Sequence, residues 1–231
     1  MVNFLSKINE KTFGCRNIIH LLCISKYFKM ENEKYLKDIQ DIKQMMSQSS
    51  QFISLSGLSG ILAGIYALVG AFVVNYLIEQ NKYDVIIIEG RTFKLIILTA
   101  LIVLVLSLVT AYIMTKQKAK KVGEQVWNPS SKRLLINFCI PLFTGGIFAL
   151  LLLRHEVYGL IAPITLISYG MACLNASKYT LRDVRYLGIT EIILGLIAVE
   201  FSGYGLYFWV LGFGICHIIY GAVMYFKYDR N

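Results

Sequence analysis

Six stretches of almost unbroken apolar residues, 52–78, 93–115, 134–153, 157–177, 184–201 and 204–226, alternate with short polar gaps along the chain. A hydrocarbon core about 30 Å thick takes roughly 20 helical residues to cross, and each run reaches or approaches that length. Lipid offers no partner to an open backbone group, so a spanning segment is either a helix or part of a closed barrel. None of the runs alternates with the period of two that a barrel strand requires. The pattern predicts an all-α polytopic membrane protein, a six-transmembrane-helix bundle over 52–231. Ahead of it, Leu36, Ile39, Ile42 and Met46 recur at every third or fourth position among charged residues. That spacing predicts an amphipathic cytoplasmic helix within 30–51, lying on the membrane face or running straight into the first span. Residues 1–29 fit no regular element. They read as a disordered basic arm, or as the product of an upstream start codon with Met30 as the natural start.

The gaps carry the orientation. The great majority of the 23 Lys and Arg residues fall in alternate gaps: before the first run, in 116–133, around 178–185 and after the last run. Basic residues stay on the cytoplasmic side, so both termini are expected there. Trp127-Asn128-Pro129-Ser130-Ser131 is a turn signal with an interfacial aromatic. The net charge of +9 does not indicate nucleic acid, because the cations sit beside spans, where they hold orientation and attract anionic lipid headgroups. A hydrophobic share of 56% and a mean hydropathy of +0.59 place the chain outside the soluble norm. Cys139, Cys173 and Cys216 lie inside spans, and Cys15 and Cys23 on the cytoplasmic side. Neither a disulfide framework nor a structural metal is expected from them.

Small residues mark helix-packing faces. The first run carries Gly57, Gly60, Gly64, Ala67 and Ala71 at every third or fourth position, the fifth carries Gly188, Gly195 and Ala198, and the sixth Gly214 and Gly221. Such stripes let a neighbouring backbone approach closely. Pro141 and Pro163 are candidate kinks in the third and fourth runs.

Only two ionisable groups lie well inside the runs, Glu191 and His217. On insertion scales a charged side chain at the centre of a span costs roughly 2.5–3.5 kcal/mol, which makes intramembrane ionisable residues functional candidates. At 1.5 Å per residue, Glu191 falls about 10 Å and His217 about 14 Å from the cytoplasmic edge. Both occupy small-residue faces, so they are expected to approach one another in a polar pocket. Ser59, Ser107 and Ser168 fall at similar depth and are candidate members of that pocket. Gly57-Leu58-Ser59-Gly60 spells GxSG, and a His in the last of six spans is similar to rhomboid intramembrane proteases, which implies Ser59 as nucleophile and His217 as its base. Here, however, GxSG opens the first span, and no His and Asn pair stands in the second. HExxH, Walker and dinucleotide-binding patterns are absent.

The stretch Gln44 to Leu68, QMMSQSSQFISLSGLSGILAGIYAL, resembles the signature of a group of uncharacterised six-span integral membrane proteins of Bacteroidota. The resemblance covers roughly residues 30–231. It implies a protein of the bacterial inner (cytoplasmic) membrane with its start near Met30, and it brings no activity with it. The expected function is that of a non-enzymatic sensor or accessory subunit, or of a purely structural membrane component. The alternative is a small-solute or proton-coupled transporter using a Glu191/His217 pocket, and the remote alternative a serine protease built on Ser59 and His217. No cofactor, metal or nucleic acid is expected. The expected partners are membrane lipid and either a second copy of the chain or another membrane subunit.

Overall fold

The computed structural model describes residues 35–42, 51–80 and 90–230. The expectations for 1–29, for Met46 and for most of the 30–51 helix lie outside the described residues. The chain divides into two compact units, Met1–Ser49 and Ser50–Asn231. In the first unit residues 35–42 form a helix, α1, and Leu36, Ile39 and Ile42 on its apolar stripe are exposed.

Among the described residues of the second unit the regular elements are all helices, and one isolated bridge joins Phe52 and Thr180. Its elements are α2 (Gly57–Gln80), α3 (Arg91–Val122), α4 (Pro129–Arg154), a 3-10 turn leading into α5 (Ile161–Ala176), α6 (Val184–Glu200), and α7 (Gly205–Trp209). After α7 come a π-helical segment (Val210–Cys216), α8 (His217–Met224) and a second π segment (Tyr225–Asp229). These last four run on as one terminal helix. Among the described residues, five helices are long and apolar enough to cross a membrane: Gly57–Gln80, Arg91–Val122, Pro129–Arg154, Tyr158–Ala176 and Ser202–Asp229. The chain is an all-α polytopic membrane protein. The remaining helix, α6, has 17 residues, about 26 Å of rise, and so is shorter than those five.

Local chemistry sets the boundaries. α3 runs seven residues beyond its apolar stretch because Lys116 to Lys121 are good helix formers that water solvates. It ends at Gly123, whose φ of 74° is left-handed and whose N–H bonds to the Ala119 carbonyl. α4 begins with a capping box: the Asn128 side chain accepts from the Ser131 N–H at 2.7 Å, the Ser131 hydroxyl accepts from the Asn128 N–H at 3.0 Å, and Pro129 opens the first turn. Pro163 stands in the first turn of α5, where its missing N–H has no intrahelical role, whereas α4 continues through Pro141.

One boundary differs from the sequence expectation. Residues 52–56 are not the first turns of a span; they are non-helical and tied to the α5–α6 connection. The Phe52 N–H donates to the Tyr179 carbonyl at 2.8 Å, and the Thr180 hydroxyl donates to the Phe52 carbonyl at 2.6 Å. Phe52 and Ser54 are buried there. Hydropathy cannot distinguish this tethered segment from a helix, because an apolar run reads the same in either conformation. α2 starts at Gly57, after this segment.

Packing is led by backbone contact. α2 lies between α3 and the terminal helix, and α5 lies between α4 and α6. A Cβ on Gly64 would stand 2.7 Å from the Gly214 carbonyl, and one on Gly221 would stand 2.7 Å from that of Gly57. Gly60 lies against Gly221 in the same seam. Gly188 and Gly170 oppose each other across α6 and α5 with the same closeness, and Gly195 lies on Ile167. Only Thr92 and Ala119 of α3 are buried; its Val103 packs on Gly70 of α2, and most of the other apolar side chains of α3 are exposed. The buried apolar cluster of Cys173, Leu181, Val184, Leu187 and Met224 sits where α5, α6 and the terminal helix meet.

Candidate functional site

Helical spacing brings polar groups from three helices to that meeting point. Glu191 stands on α6, Tyr169 and Cys173 one turn apart on α5, and Cys216, His217 and Tyr220 on one turn of the terminal helix. Glu191 is 0% exposed, and His217 and Cys173 are buried. His217 Nδ1 lies 3.4 Å from Glu191 Oε1. It is closer, at 3.0 Å, to the Gly212 carbonyl, which takes its hydrogen bond. His217 Nε2 is 2.8 Å from the Tyr169 hydroxyl. Both ring nitrogens are thus engaged, whereas neither Glu191 oxygen has a hydrogen-bond partner.

The backbone makes room for this arrangement. Gly212 has no side chain where the Glu191 carboxylate and Leu166 now sit; a Cβ there would overlap both. Gly212 lies within the π-helical Val210–Cys216, five residues before His217, so the imidazole folds back to the carbonyl of its own helix. Single-turn π segments inside α-helices are often found at functional sites. Rings wall the pocket. Tyr169 packs on Phe138 (centroids 5.9 Å apart), Phe213 (5.1 Å) and the His217 ring (5.2 Å), and Phe213 continues to Trp209 (5.1 Å).

Glu191 and His217, singled out from sequence, are brought together. The three serines are not part of the pair. The buried Ser59 hydroxyl donates to the Ser56 carbonyl at 2.7 Å, and Ser168 donates to Thr165 at 3.2 Å while facing Gly145 of α4. Ser107 is partly exposed on α3, whose packing partner is α2. Equal depth along different helices does not imply a common face. Ser59 and His217 share no hydrogen bond, so this structure shows no nucleophile–base dyad. Sequence reasoning missed Tyr169, Cys173, Cys216, Tyr220 and Gly212. The i, i+4 spacing of Tyr169 with Cys173 and of Cys216 with Tyr220 was the available signal. Among the described residues, no group of three or more His, Cys, Asp and Glu side chains is placed to hold a metal ion.

A second polar cluster lies where the basic ends of the helices gather. Asp229 Oδ2 accepts from the Gly57 N–H at 2.8 Å and from the Ser56 hydroxyl at 3.2 Å. Its Oδ1 takes the Lys118 ammonium at 2.5 Å, and Lys118 also donates to the Leu55 carbonyl at 2.8 Å. The Ser54 hydroxyl donates to Glu124, which in turn accepts from the Asn128 side chain. This cluster closes the open N-terminus of α2 and joins it to α3 and the terminal helix.

Comparison of the chain with protein-family models, with curated proteins and with solved structures finds no match.

Proposed function

We propose that this multi-span membrane protein is a proton-responsive component, a sensor or accessory subunit, with Glu191 and His217 as the proton-binding pair. The observation that carries the reading is the Glu191 carboxyl, wholly buried and without a hydrogen-bond partner, 3.4 Å from an imidazole nitrogen. A carboxyl serving only as interhelical glue would spend its oxygens on hydrogen bonds, since an unpaired buried polar group costs about 1–3 kcal/mol.

With Glu191 protonated and His217 neutral, the Nδ1–H donates to Gly212 and Nε2 accepts from Tyr169. With Glu191 ionised and His217 still neutral, one proton fewer, the Nδ1–H is drawn toward the carboxylate. The Gly212 carbonyl then loses its donor, and the π-helical turn around it loses a support. The proton state is thereby coupled to the packing of the terminal helix on α6. The other titratable groups facing Glu191 are Tyr169 and Cys173 from α5 and Cys216 from the terminal helix.

Our reading is a six-span protein of a bacterial inner membrane, α6 included, with both termini in the cytoplasm. The alternating basic gaps support that placement. A proton-coupled transporter is the second reading, favoured by a groove between α6 and the terminal helix that reaches Thr190 and Cys216, beside Glu191. Infrared difference spectra of the reconstituted chain across pH should show a carboxyl band that Glu191→Gln removes. Identical spectra from the two proteins would sink the proton-responsive reading. Proteoliposomes under a pH gradient separate the roles: flux lost in Glu191→Gln selects the transporter, and a carboxyl band without flux selects the sensor.

A further inference from the structure

Two stripes of side chains face each other across the α6–terminal helix seam. α6 and its lead-in supply Asp183, Tyr186, Leu187 and Thr190, and the terminal helix supplies Cys216, Ile219, Tyr220, Val223 and Lys227. Between them runs a groove of about 490 Å³, within the roughly 300–1,000 Å³ usual for small-molecule sites. Its walls are apolar along most of their length. Tyr186, Ile219 and Val223 are 68%, 59% and 52% exposed, so the groove opens sideways, toward the surroundings of the bundle. Its two ends differ. One end stops at Thr190 and Cys216, and the other ends at Lys227, which donates to Asp183 at 2.7 Å. Lys178, Arg182, Arg185 and Arg230 are exposed at that same end of the helices. The acids there are already engaged, Asp183 by Lys227 and Tyr228 and Asp229 by Lys118, so the mouth carries an excess of positive charge.

We propose that this groove holds one acyl chain of an anionic phospholipid, with the headgroup phosphate at the Arg182, Arg185 and Lys227 mouth. A polar solute would gain little from the apolar walls. A neutral lipid would leave the basic mouth without a counter-charge. A chain threaded along Ile219 and Val223 covers apolar surface while its phosphate stays among the cations, where each basic side chain near a membrane surface adds to anionic-lipid attraction. This site goes beyond the proton-responsive reading and does not depend on it, because no part of it requires Glu191 to titrate.

The test uses the full chain in bilayer discs containing phosphatidylglycerol and phosphatidylcholine, each offered in turn with a photoreactive group in the acyl chain. The expected result is preferential retention of phosphatidylglycerol after extraction, with crosslinks concentrated at Tyr186, Ile219 and Val223. Val223→Trp should fill the groove and remove those crosslinks, whereas Leu196→Trp, on an exposed part of α6 outside the groove, should leave them. Replacing Arg182, Arg185 and Lys227 by Gln should lower the preference by about fivefold for each side chain removed. Equal retention of the two lipids would overturn the proposal, as would crosslinks spread evenly over the exposed face of α3. A co-purifying protein that shields the groove from crosslinking would overturn it too, by showing a different occupant. The wild-type crosslink map decides the matter even if a variant fails to fold.

Discussion

Two buried or nearly buried carboxylates in one bundle are treated in opposite ways. Asp229 has an amide, a hydroxyl and an ammonium directed at its two oxygens, and in return it caps α2 and ties it to α3. Glu191, more deeply buried, has an imidazole beside it and no hydrogen bond at all. The difference separates a carboxylate that maintains the fold from one whose interactions are left incomplete. Buried charges whose role is structural are paired and hydrogen-bonded, since leaving them bare costs several kcal/mol.

Substitutions can break or sharpen this contrast. Asp229→Ala should have the largest effect, a loss of roughly 3–5 kcal/mol, because it opens the α2 N-terminus and strands Lys118. Thermal unfolding in detergent measures it, and an unchanged midpoint would remove the cluster from the structural account. Gly212→Ala should cost about 1–3 kcal/mol by forcing Glu191 and Leu166 aside. Much of that loss should return when Glu191 is also cut to Ala, as a double-mutant cycle would register. Glu191→Met should leave stability unchanged or raise it, since an unpartnered polar group gives way to an apolar one. If Glu191→Met destabilised the chain as severely as Asp229→Ala, the two carboxylates would be alike and the contrast would vanish. Lys227→Gln is the mildest: its side chain is 53% exposed, so losing the bridge to Asp183 should barely move the unfolding midpoint.

How much of this could be read in advance depended on the kind of signal. Long apolar runs announced helices because crossing lipid leaves few alternatives, and five of them have the length and composition to span. Glu191 and His217 stood out because an ionisable residue in an apolar run is conspicuous. Tyr169 did not, since tyrosines are common in such helices, and only the fold shows that its hydroxyl meets His217. Gly212 gave no sign that its missing side chain makes room for a carboxyl on another helix. The GxSG at Gly57–Gly60 was legible but misleading: it is the first turn of α2, set by packing on Gly221, with its serine bonded to its own backbone. Residues 52–56 were read as helix because hydropathy records burial and cannot record the strand-like tie to Thr180.

The cap on α2 bears on how the molecule is made. Asp229 is the last of the helical residues described here to leave the ribosome, yet it supplies an acceptor for the opening turn of α2. While translation is under way that turn has to rely on water or headgroups, and Lys118 waits without its counterion. Final closure of the bundle is therefore a late event, and a chain cut short before Asp229 would leave the opening turn of α2 without that acceptor.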